Sequence, residues 1–153
     1  MIEVSGVVKD FKISKGLFRG KDILRAVDDV SLNIESGEVL AIVGESGCGK
    51  TTLARIILGL LPTDLGEVKF NGTALSDFKK LDLARLVQPI FQDPYSSLNP
   101  RKTIGEIIDL PLRVQGSRGG TDLKKLTLEN MDLVGLHSRM YDQYPNQLSG
   151  GQR

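Results

Sequence analysis

The first part of the chain places short apolar runs between polar segments in a pattern typical of β-strands. Residues 2–8 form a first short β segment, and residues 30–34 carry an apolar side chain at every second position. Between them, the Gly- and Lys-rich segment 14–21 predicts a solvated hairpin tip. After a turn at 36–37, residues 39–43 are apolar without alternation, which indicates a parallel strand buried on both faces.

A helix is predicted after the glycine-rich segment that follows. Leu53, Ile56, Ile57 and Leu60 recur at helical spacing and would form one apolar face, and Pro62 would end the helix. A buried strand, a loop and an amphipathic helix therefore follow one another, which is typical of an α/β fold.

Two further strands and a loop are predicted beyond this helix. Residues 67–70 form a strand that enters a tight turn at Asn71-Gly72. Residues 86–91 form another apolar strand, in which Pro89 marks a distortion. Proline, serine and asparagine residues then predict a loop over 93–100.

The last third of the chain predicts helices. Thr103 and Glu106 match a capping box, which opens a helix with three isoleucines on its inner side at 104–108. Residues 117–120 predict a flexible linker, and residues 123–134 predict a second helix with a less regular apolar pattern.

Length and composition exclude several classes of protein. With 153 residues, the chain has the size of one domain. Its 20 Lys and Arg against 19 Asp and Glu argue against a nucleic-acid binder that works by bulk positive charge. Cys48 is the only cysteine, which excludes an internal disulfide, and a single histidine argues against a structural zinc site. No apolar run approaches the roughly 18 residues of a membrane span.

Residues 44–51 match the phosphate-loop pattern G-x-x-x-x-G-K-[ST]. Glycines let the backbone wrap around a phosphate without Cβ clashes, so that successive N–H groups point at its oxygens. The partial positive charge at the start of the next helix adds to this attraction. The predicted nucleotide-binding residues of this loop are Gly44, Glu45, Ser46, Gly47, Cys48, Gly49, Lys50, Thr51 and Thr52.

The side chains at the end of the loop have separate expected roles. Lys50 would reach the β- and γ-phosphates of ATP, the Thr51 hydroxyl would bind Mg²⁺, and Thr52 would bond the α-phosphate. Cys48 is interpreted as a small residue at a variable position and not as a nucleophile. A chance glycine-rich turn is disfavoured because the strand and the helix flank it, but a phosphate loop alone leaves kinases, GTPases and motor ATPases open.

The last six residues indicate which class of phosphate-loop protein this chain resembles. ATP-binding cassette (ABC) ATPases share a signature sequence, which residues 148–153 (Leu-Ser-Gly-Gly-Gln-Arg) resemble. Ser149 can cap a helix N-terminus, and Gly150 and Gly151 expose N–H groups, which would make a second anion site. The resemblance implies that Ser149, Gly150, Gly151 and Gln152 close on the γ-phosphate held by the other subunit of a dimer. Taken alone, the segment could also be a flexible Gly-Gly tail.

A third stretch lies between these two in the order that the family shows. Residues 91–94 (Phe-Gln-Asp-Pro) resemble its Q-loop, which implies that Gln92 touches Mg²⁺ and the attacking water. The resemblance thus makes Lys50 and Gln92 the catalytic residues and Thr51 and Gln92 the metal ligands. Taken alone, Gln92 would be a polar residue at the end of a strand.

Two aromatic residues and the single histidine lie at positions that bear on the same resemblance. Phe11 follows the first strand, where an aromatic residue stacks on adenine in ABC ATPases, and Phe18 is a weaker candidate. The alternative for Phe11 is a partly buried hydrophobic residue. The family has a catalytic switch histidine downstream of the signature, so His137, which lies upstream, is expected to be a surface or helix-end residue.

Longer stretches resemble the ATPases of oligopeptide and dipeptide importers, a family that includes nickel importers. They are residues 16–18, 26–31, 44–50, 91–101 and 144–145. The resemblance covers the whole chain and implies an α/β P-loop NTPase of ABC type, with an antiparallel β subdomain, a parallel core sheet and an inserted helical subdomain. Residues 1–92 would form the nucleotide-binding core and β subdomain, and residues 93–153 the helical subdomain up to the signature.

The implied function is an ATP-binding subunit that couples ATP binding and hydrolysis to the import of peptides or a related solute. The implied partners are a second ABC ATPase subunit, identical or related, transmembrane permease subunits and, indirectly, an extracytoplasmic solute-binding protein, but no nucleic acid. The subunit would lie at the cytoplasmic face of the cell membrane as a peripheral protein. Two alternatives stay open: a soluble ABC-type ATPase of DNA repair or translation control, and a truncated product that only binds nucleotide.

Two elements of the family pattern do not occur in these 153 residues. They are a strand ending in Asp-Glu, called Walker B, and the switch histidine that follows it. The Asp would support Mg²⁺ and the Glu would act as the general base. We therefore expect the chain to be an N-terminal fragment of a cassette with an incomplete core sheet, marginally stable alone and without appreciable ATPase activity.

Overall fold

A long antiparallel hairpin forms the centre of the first part of the chain in the computed structural model, which describes residues 1–14, 21–114, 116 and 121–153. Strand β1 (Ile2–Ser14) pairs with β2 (Lys21–Ile34), from Ile2 opposite Ile34 to Ser14 opposite Lys21. The two predicted strands are therefore confirmed and are longer than their apolar patterns indicated. The described residues form two units, 1–89 and 90–153.

Two shorter strands complete the sheet of the first unit. Strand β3 (Leu65–Phe70) pairs antiparallel with the other edge of β1, and β4 (Thr73–Ala74) pairs with β3, so that the order is β2-β1-β3-β4. The turn between β3 and β4 has positive φ angles at Asn71 (48°) and Gly72 (79°), as a two-residue hairpin turn requires. This confirms the predicted strand and turn.

Two helices pack on or near this sheet. Helix α1 (Lys50–Ile57) buries Leu53 and Ile56, and helix α2 (Lys80–Leu86) buries Leu83. A 3₁₀ turn at Leu75–Asp77 precedes α2. These side chains join the apolar side of the sheet in one core, which comprises Val4, Val7, Val27, Leu53, Ile56, Val68, Phe70 and Leu83.

Helix α1 ends earlier than the sequence predicted. The expected apolar face extended to Leu60 and the expected end was Pro62, but the helix stops at Ile57 and Leu60 is 64% exposed. Gly59 adopts a left-handed conformation with φ of 67°, which turns the chain away before the proline is reached.

The second unit consists of helices. They are α3 (Pro94–Ser97), α4 (Ile104–Val114) and α5 (Thr121–Leu133), with 3₁₀ turns at Ser138–Met140 and Pro145–Gln147. The capping box is confirmed, since Thr103 N donates to Glu106 Oε2 (2.9 Å) and Glu106 N donates to Thr103 Oγ1 (3.3 Å). The helix predicted over 123–134 is confirmed as α5.

Residues just before the signature hold the start of α4. Ile104 N donates to the carbonyl of Gln143 (2.8 Å) and Gly105 N donates to the carbonyl of Tyr141 (2.8 Å). The Tyr141 ring covers Gly105 so closely that a Cβ there would lie 2.5 Å from it. The Tyr141 hydroxyl donates to the buried carboxylate of Asp109 (3.2 Å). Burial and this carboxylate raise the pKa of Tyr141.

The predicted parallel strand at 39–43 is wrong for the described structure. This segment has no secondary structure, and Val39 and Val43 are 94% and 86% exposed. The strand predicted at 86–91 is also wrong, because Leu86 ends α2 and Ile90 is fully exposed. A strand exists only beside a hydrogen-bonded neighbour. Across the described ranges neither segment has one, so the parallel core sheet is not formed and the sheet is antiparallel.

The length and hydropathy of the described helices decide whether any of them could span a membrane. Among the helices that the structure describes, none is both long enough and apolar enough to cross a bilayer.

Candidate functional site

The phosphate loop, residues 44–52, lies in the first unit between the segment 39–43 and helix α1. Gly47 and Gly49 have φ angles of 83° and 97°, in the left-handed region that glycine adopts without strain. Gly49 also approaches β2, where a Cβ at this position would lie 2.1 Å from the carbonyl oxygen of Ala26. Glycine is therefore required at 49 by both its conformation and its neighbour.

The Lys50 side chain bends back over this loop. Its Nζ donates to the carbonyl oxygens of Gly44 (2.8 Å) and Glu45 (2.6 Å) and lies 3.6 Å from the Sγ of Cys48. Lys50 is half-buried, whereas Cys48 is exposed. The ammonium group is thus held against the backbone of the loop.

The start of helix α1 points its free backbone donors into the same loop. The first helical hydrogen bond runs from Leu53 N to Gly49 O (2.9 Å), so the N–H groups of residues 50–52 have no acceptor inside the helix. The first turn contains no acidic residue and no side chain caps it. Thr51 is exposed and Thr52 half-buried, so the Thr51 hydroxyl is accessible to a metal ion.

These groups fit the phosphates of a nucleotide. The loop combines a glycine that admits no Cβ, a fixed ammonium group and a helix start without a competing carboxylate. A hydroxyl at Thr51 also fits Mg²⁺, which is commonly held by one or two protein oxygens together with phosphates and water. The residues of this loop therefore fit a phosphate group, and phosphate binding here stays a prediction.

A groove of about 490 Å³ runs between strand β2 and the phosphate loop. Arg25 and Asp28 are its charged residues on β2, and the hydrogen bonds of Arg25 to Asp10 and Asp28 raise the pKa of its guanidinium further. Beside Lys50, the walls of the groove are therefore apolar side chains and the Arg25–Asp28 ion pair. It is lined by Arg25, Ala26, Val27, Asp28, Val30, Leu32, Ile42, Val43, Cys48, Gly49, Lys50 and Leu53.

Phe11 lies on the same sheet but does not line this groove. It pairs with Leu24 across the hairpin and is 37% exposed, and the Nζ of Lys9 lies 5.9 Å from its ring centroid. Its partial exposure leaves a ring face accessible, and its stacking on adenine stays a prediction. Phe18, the weaker candidate, lies outside the described residues, as does the linker predicted at 117–120.

A second groove of the first unit lacks such chemistry. It measures about 600 Å³ and lies beside Gly59, β3 and α2. Its walls are mostly apolar, with Glu67 and Lys80 as the charged residues. A phosphate group would find less positive charge and fewer free backbone donors here than in the phosphate loop.

Gln92 lies near the start of the second unit and is exposed. The next residue, Asp93, caps helix α3, since its Oδ1 accepts from Tyr95 N (2.9 Å). Hydrogen bonds from Ser96 and from Tyr95 N hold the pKa of the Asp93 carboxyl below its usual range. The part of the predicted loop that follows Gln92 is therefore a helical turn.

The signature turn, residues 149–153, also lies in the second unit. Gln152 N and Arg153 N both donate to the Ser149 carbonyl (3.1 Å each), which forms one helical turn. Gln152 Oε1 accepts from Ser149 N (3.0 Å), so Gln152 and not the Ser149 hydroxyl closes the turn in the described chain. The glycine-rich segment thus forms a hydrogen-bonded turn, and a helix cap by the Ser149 hydroxyl stays a prediction.

Two contacts of this unit were not predicted. The guanidinium of Arg153 lies over the Tyr95 ring, with Cζ 3.9 Å from the ring centroid, and Arg153 Nε donates to the Leu148 carbonyl (3.1 Å). Tyr95 and Arg153 are far apart in the sequence and carry no local signal of their contact. His137 is exposed and caps a 3₁₀ turn through Nδ1, which accepts from Arg139 N (3.2 Å), so its prediction as a helix-end residue is confirmed.

Comparison with known families and proteins finds similarity to ATP-binding proteins of ABC transporters. The ABC transporter family matches residues 27–153. The chain is 40% identical to the dipeptide transport ATP-binding protein DppF of Escherichia coli and covers 47% of it. It is also 40% identical to the putative oligopeptide transport ATP-binding protein YkfD of Bacillus subtilis and covers 46% of that protein. Each match includes the whole chain, so the chain spans about half the length of these curated relatives.

Solved structures share the fold. One is a dimeric structure of the ATP-binding cassette MJ0796 bound to ADP and Pi, with a TM-score of 0.77 and 32% identity, covering 99% of this chain and 65% of that one. Another is cbiO1 of Clostridium perfringens, with a TM-score of 0.72 and 23% identity, covering 99% and 56%. The second likeness concerns the fold alone.

Proposed function

The chain belongs to the ABC transporter family, and from this premise we propose that it is the nucleotide-binding part of a transport ATPase. This ATPase would couple ATP binding and hydrolysis to the import of peptides or a related solute. The names of the relatives DppF and YkfD, transport proteins for dipeptides and oligopeptides, support this solute class.

The geometry of the phosphate loop is the observation that carries this proposal. Lys50 Nζ is bound to the carbonyls of Gly44 and Glu45, and the N–H groups of residues 50–52 have no acceptor inside helix α1. When ATP binds, Lys50 would exchange these carbonyls for the β- and γ-phosphates. Thr52 would bond the α-phosphate.

The Mg²⁺ ion and the adenine ring of ATP would contact further residues of the chain. Thr51 and Gln92 would hold Mg²⁺, which neutralises phosphate charge when it is bound. Gln92 would also orient the attacking water, and Phe11 would stack on adenine. Each of these roles rests on the family resemblance and on an exposed position in the described structure.

The signature turn would serve a nucleotide held by a second cassette. Neither Gly150 nor Gly151 has a positive φ, and a Cβ at Gly151 would meet no described heavy atom within 4 Å. Since the described chain does not require glycine there, a close approach by an outside group is a physical reason for it. Ser149, Gly150, Gly151 and Gln152 would therefore contact the γ-phosphate across a dimer.

The proposed partners follow from the proposed function as part of a transport ATPase. A second cassette, identical or related, would complete the pair, and permease subunits would carry the solute through the membrane. The dimeric structure of MJ0796 and the transport names of the relatives support these partners. A solute-binding protein outside the cell would act indirectly, and the subunit would lie at the cytoplasmic face as a peripheral protein. No observation favours a role in DNA repair or translation control, or nucleotide binding alone.

Calorimetric titration of ATP with Mg²⁺ into the purified chain tests the proposal. Lys50→Ala removes a charge-assisted hydrogen bond to phosphate, worth about 1.5–3 kcal/mol, so ATP affinity should fall roughly 10- to 100-fold. Lys125→Ala, at an exposed site on helix α5, is the matched control and should leave the affinity unchanged. Equal affinity of the Lys50→Ala variant and the wild-type chain would contradict the proposal.

A further inference from the structure

Tyr95 and Arg153 form a cation–π contact within the second unit. The Cζ of Arg153 lies over the Tyr95 ring, 3.9 Å from its centroid, which is well within the range of a cation–π contact. The Tyr95 hydroxyl also lies near the signature turn, since a Cβ at Gly150 would be 3.8 Å from it. One aromatic side chain therefore reaches both Gly150 and Arg153.

Both partners of this contact are held by hydrogen bonds of their own. Tyr95 N donates to the Asp93 carboxylate (2.9 Å), which sets the direction of the first turn of α3. Arg153 donates from Nε to the Leu148 carbonyl (3.1 Å) and from its backbone N to the Ser149 carbonyl (3.1 Å). Leu148 in turn is 5% exposed and packs in the core of the second unit. Two separately ordered groups thus meet at the contact, so little entropy opposes it.

We propose that Tyr95 is a positioning residue that holds the signature turn through Arg153. Tyr95 follows Gln92 by three positions, and Arg153 follows the four residues that would contact the partner's nucleotide. The contact therefore joins the segment after Gln92 to the signature turn. Its significance for transport rests on the proposed function, because it would link the residue that senses one nucleotide to the turn that senses the other.

The position of Tyr95 indicates how a movement of helix α3 would change the signature turn. Tyr95 is 65% exposed, so a protein that binds and displaces helix α3 can reach it. A shift of α3 would withdraw the ring from Arg153 and loosen the turn in which Gln152 N and Arg153 N donate to Ser149 O. The order of the signature turn would then depend on the position of α3.

Two measurements on the purified chain without nucleotide test this positioning role. The first is the ¹H–¹⁵N resonance of Arg153 Nε–H, which the Tyr95 ring current should shift upfield. The second is hydrogen exchange at the amides of Gln152 and Arg153. A cation–π contact at an exposed site is worth about 0.5–1 kcal/mol, so Tyr95→Ala should abolish the shift and speed exchange about two- to fivefold.

Three variants separate positioning from a general loss of structure. Tyr95→Phe keeps the ring and should retain both the resonance shift and the slow exchange. Arg153→Ala should speed exchange at Gln152 as Tyr95→Ala does. Arg101→Ala removes an exposed arginine of the neighbouring segment and should change neither.

Other results would overturn the inference. They are an absent ring-current shift in the wild-type chain, unchanged exchange in Tyr95→Ala, or an equal loss in Tyr95→Phe. None of these readouts uses ATP, so a wild-type chain with the contact intact but without ATP binding would contradict the proposed function and leave this inference standing.

Discussion

The phosphate loop and the signature turn are both glycine-rich segments, but the described chain requires glycine in only one of them. At Gly49, a Cβ would lie 2.1 Å from the Ala26 carbonyl oxygen, and φ is 97°. At Gly151, a Cβ would meet nothing described within 4 Å and φ is not positive.

This difference separates two reasons for a glycine. The phosphate loop needs glycine to fold against strand β2, so its shape exists before any ligand arrives. The signature turn accepts other residues as far as the described chain is concerned, so its glycines suit an approach from outside. A glycine-rich motif therefore indicates a site most clearly when the fold offers no other reason for it.

The largest expected effect comes from the helices that support the two segments. Ile56 of α1 is fully buried and Met131 of α5 is 1% exposed. Truncation of either to Ala should cost about 2–5 kcal/mol of unfolding free energy, measured by urea denaturation. Only Ile56→Ala should also weaken ATP binding, because α1 carries Lys50. An equal loss of ATP affinity in Met131→Ala would remove the distinction between the two segments.

The next effect concerns the glycines directly. Gly49→Ala places a Cβ against the Ala26 carbonyl and strains the backbone, so it should cost about 2–4 kcal/mol of stability and abolish ATP binding. Gly151→Ala meets no described neighbour and should change stability by less than about 0.5 kcal/mol. Urea denaturation of both variants checks the comparison. Similar losses at the two positions would show that the chain requires both glycines.

A smaller effect is expected from pH at the sheet that supports the phosphate loop. Asp64 accepts from Asp10 N (2.7 Å) and from Lys9 Nζ (3.1 Å), and these bonds lower the pKa of its carboxyl. Because the folded-state pKa lies below the unfolded value, the carboxylate stabilises the fold at neutral pH. This contribution is lost as the pH falls below about 4 and through the folded pKa.

The Asp64→Asn variant isolates this contribution. It should be less stable than the wild type at pH 7, and the difference should shrink in urea denaturation at about pH 3. Asp77→Asn, an exposed position in the same unit, should show no such change. A stability difference for Asp64→Asn that is the same at both pH values would contradict the role of this carboxylate.

Local sequence signals predicted much of this fold. The alternation at 30–34, the Asn71-Gly72 turn and the Thr103–Glu106 capping box each depend on neighbouring residues, and each is present in the structure. The apolar runs at 39–43 and 86–91 did not form strands. An apolar run shows that a segment favours burial, but strand formation also requires a pairing partner, which the run does not identify.

In the candidate site, too, local features were predicted from the sequence and non-local contacts were not. The pattern at 44–51 located a loop whose backbone and Lys50 fit phosphate, because the motif encodes its own conformation. The contact of Tyr95 with Arg153 could not be predicted, since it joins residues 58 positions apart (153 − 95) without a shared motif. Motifs thus predicted the local geometry, and the structure supplied the non-local contacts.

The most direct test of nucleotide binding at the phosphate loop is a hydrogen-exchange footprint of the chain with and without ATP and Mg²⁺. Nucleotide binding at this loop should slow exchange most strongly over residues 44–52, with no comparable slowing along the apolar groove beside Gly59 and α2. Lys50→Ala should erase this footprint. An unchanged exchange pattern, or slowing centred on the apolar groove, would contradict nucleotide binding at the phosphate loop.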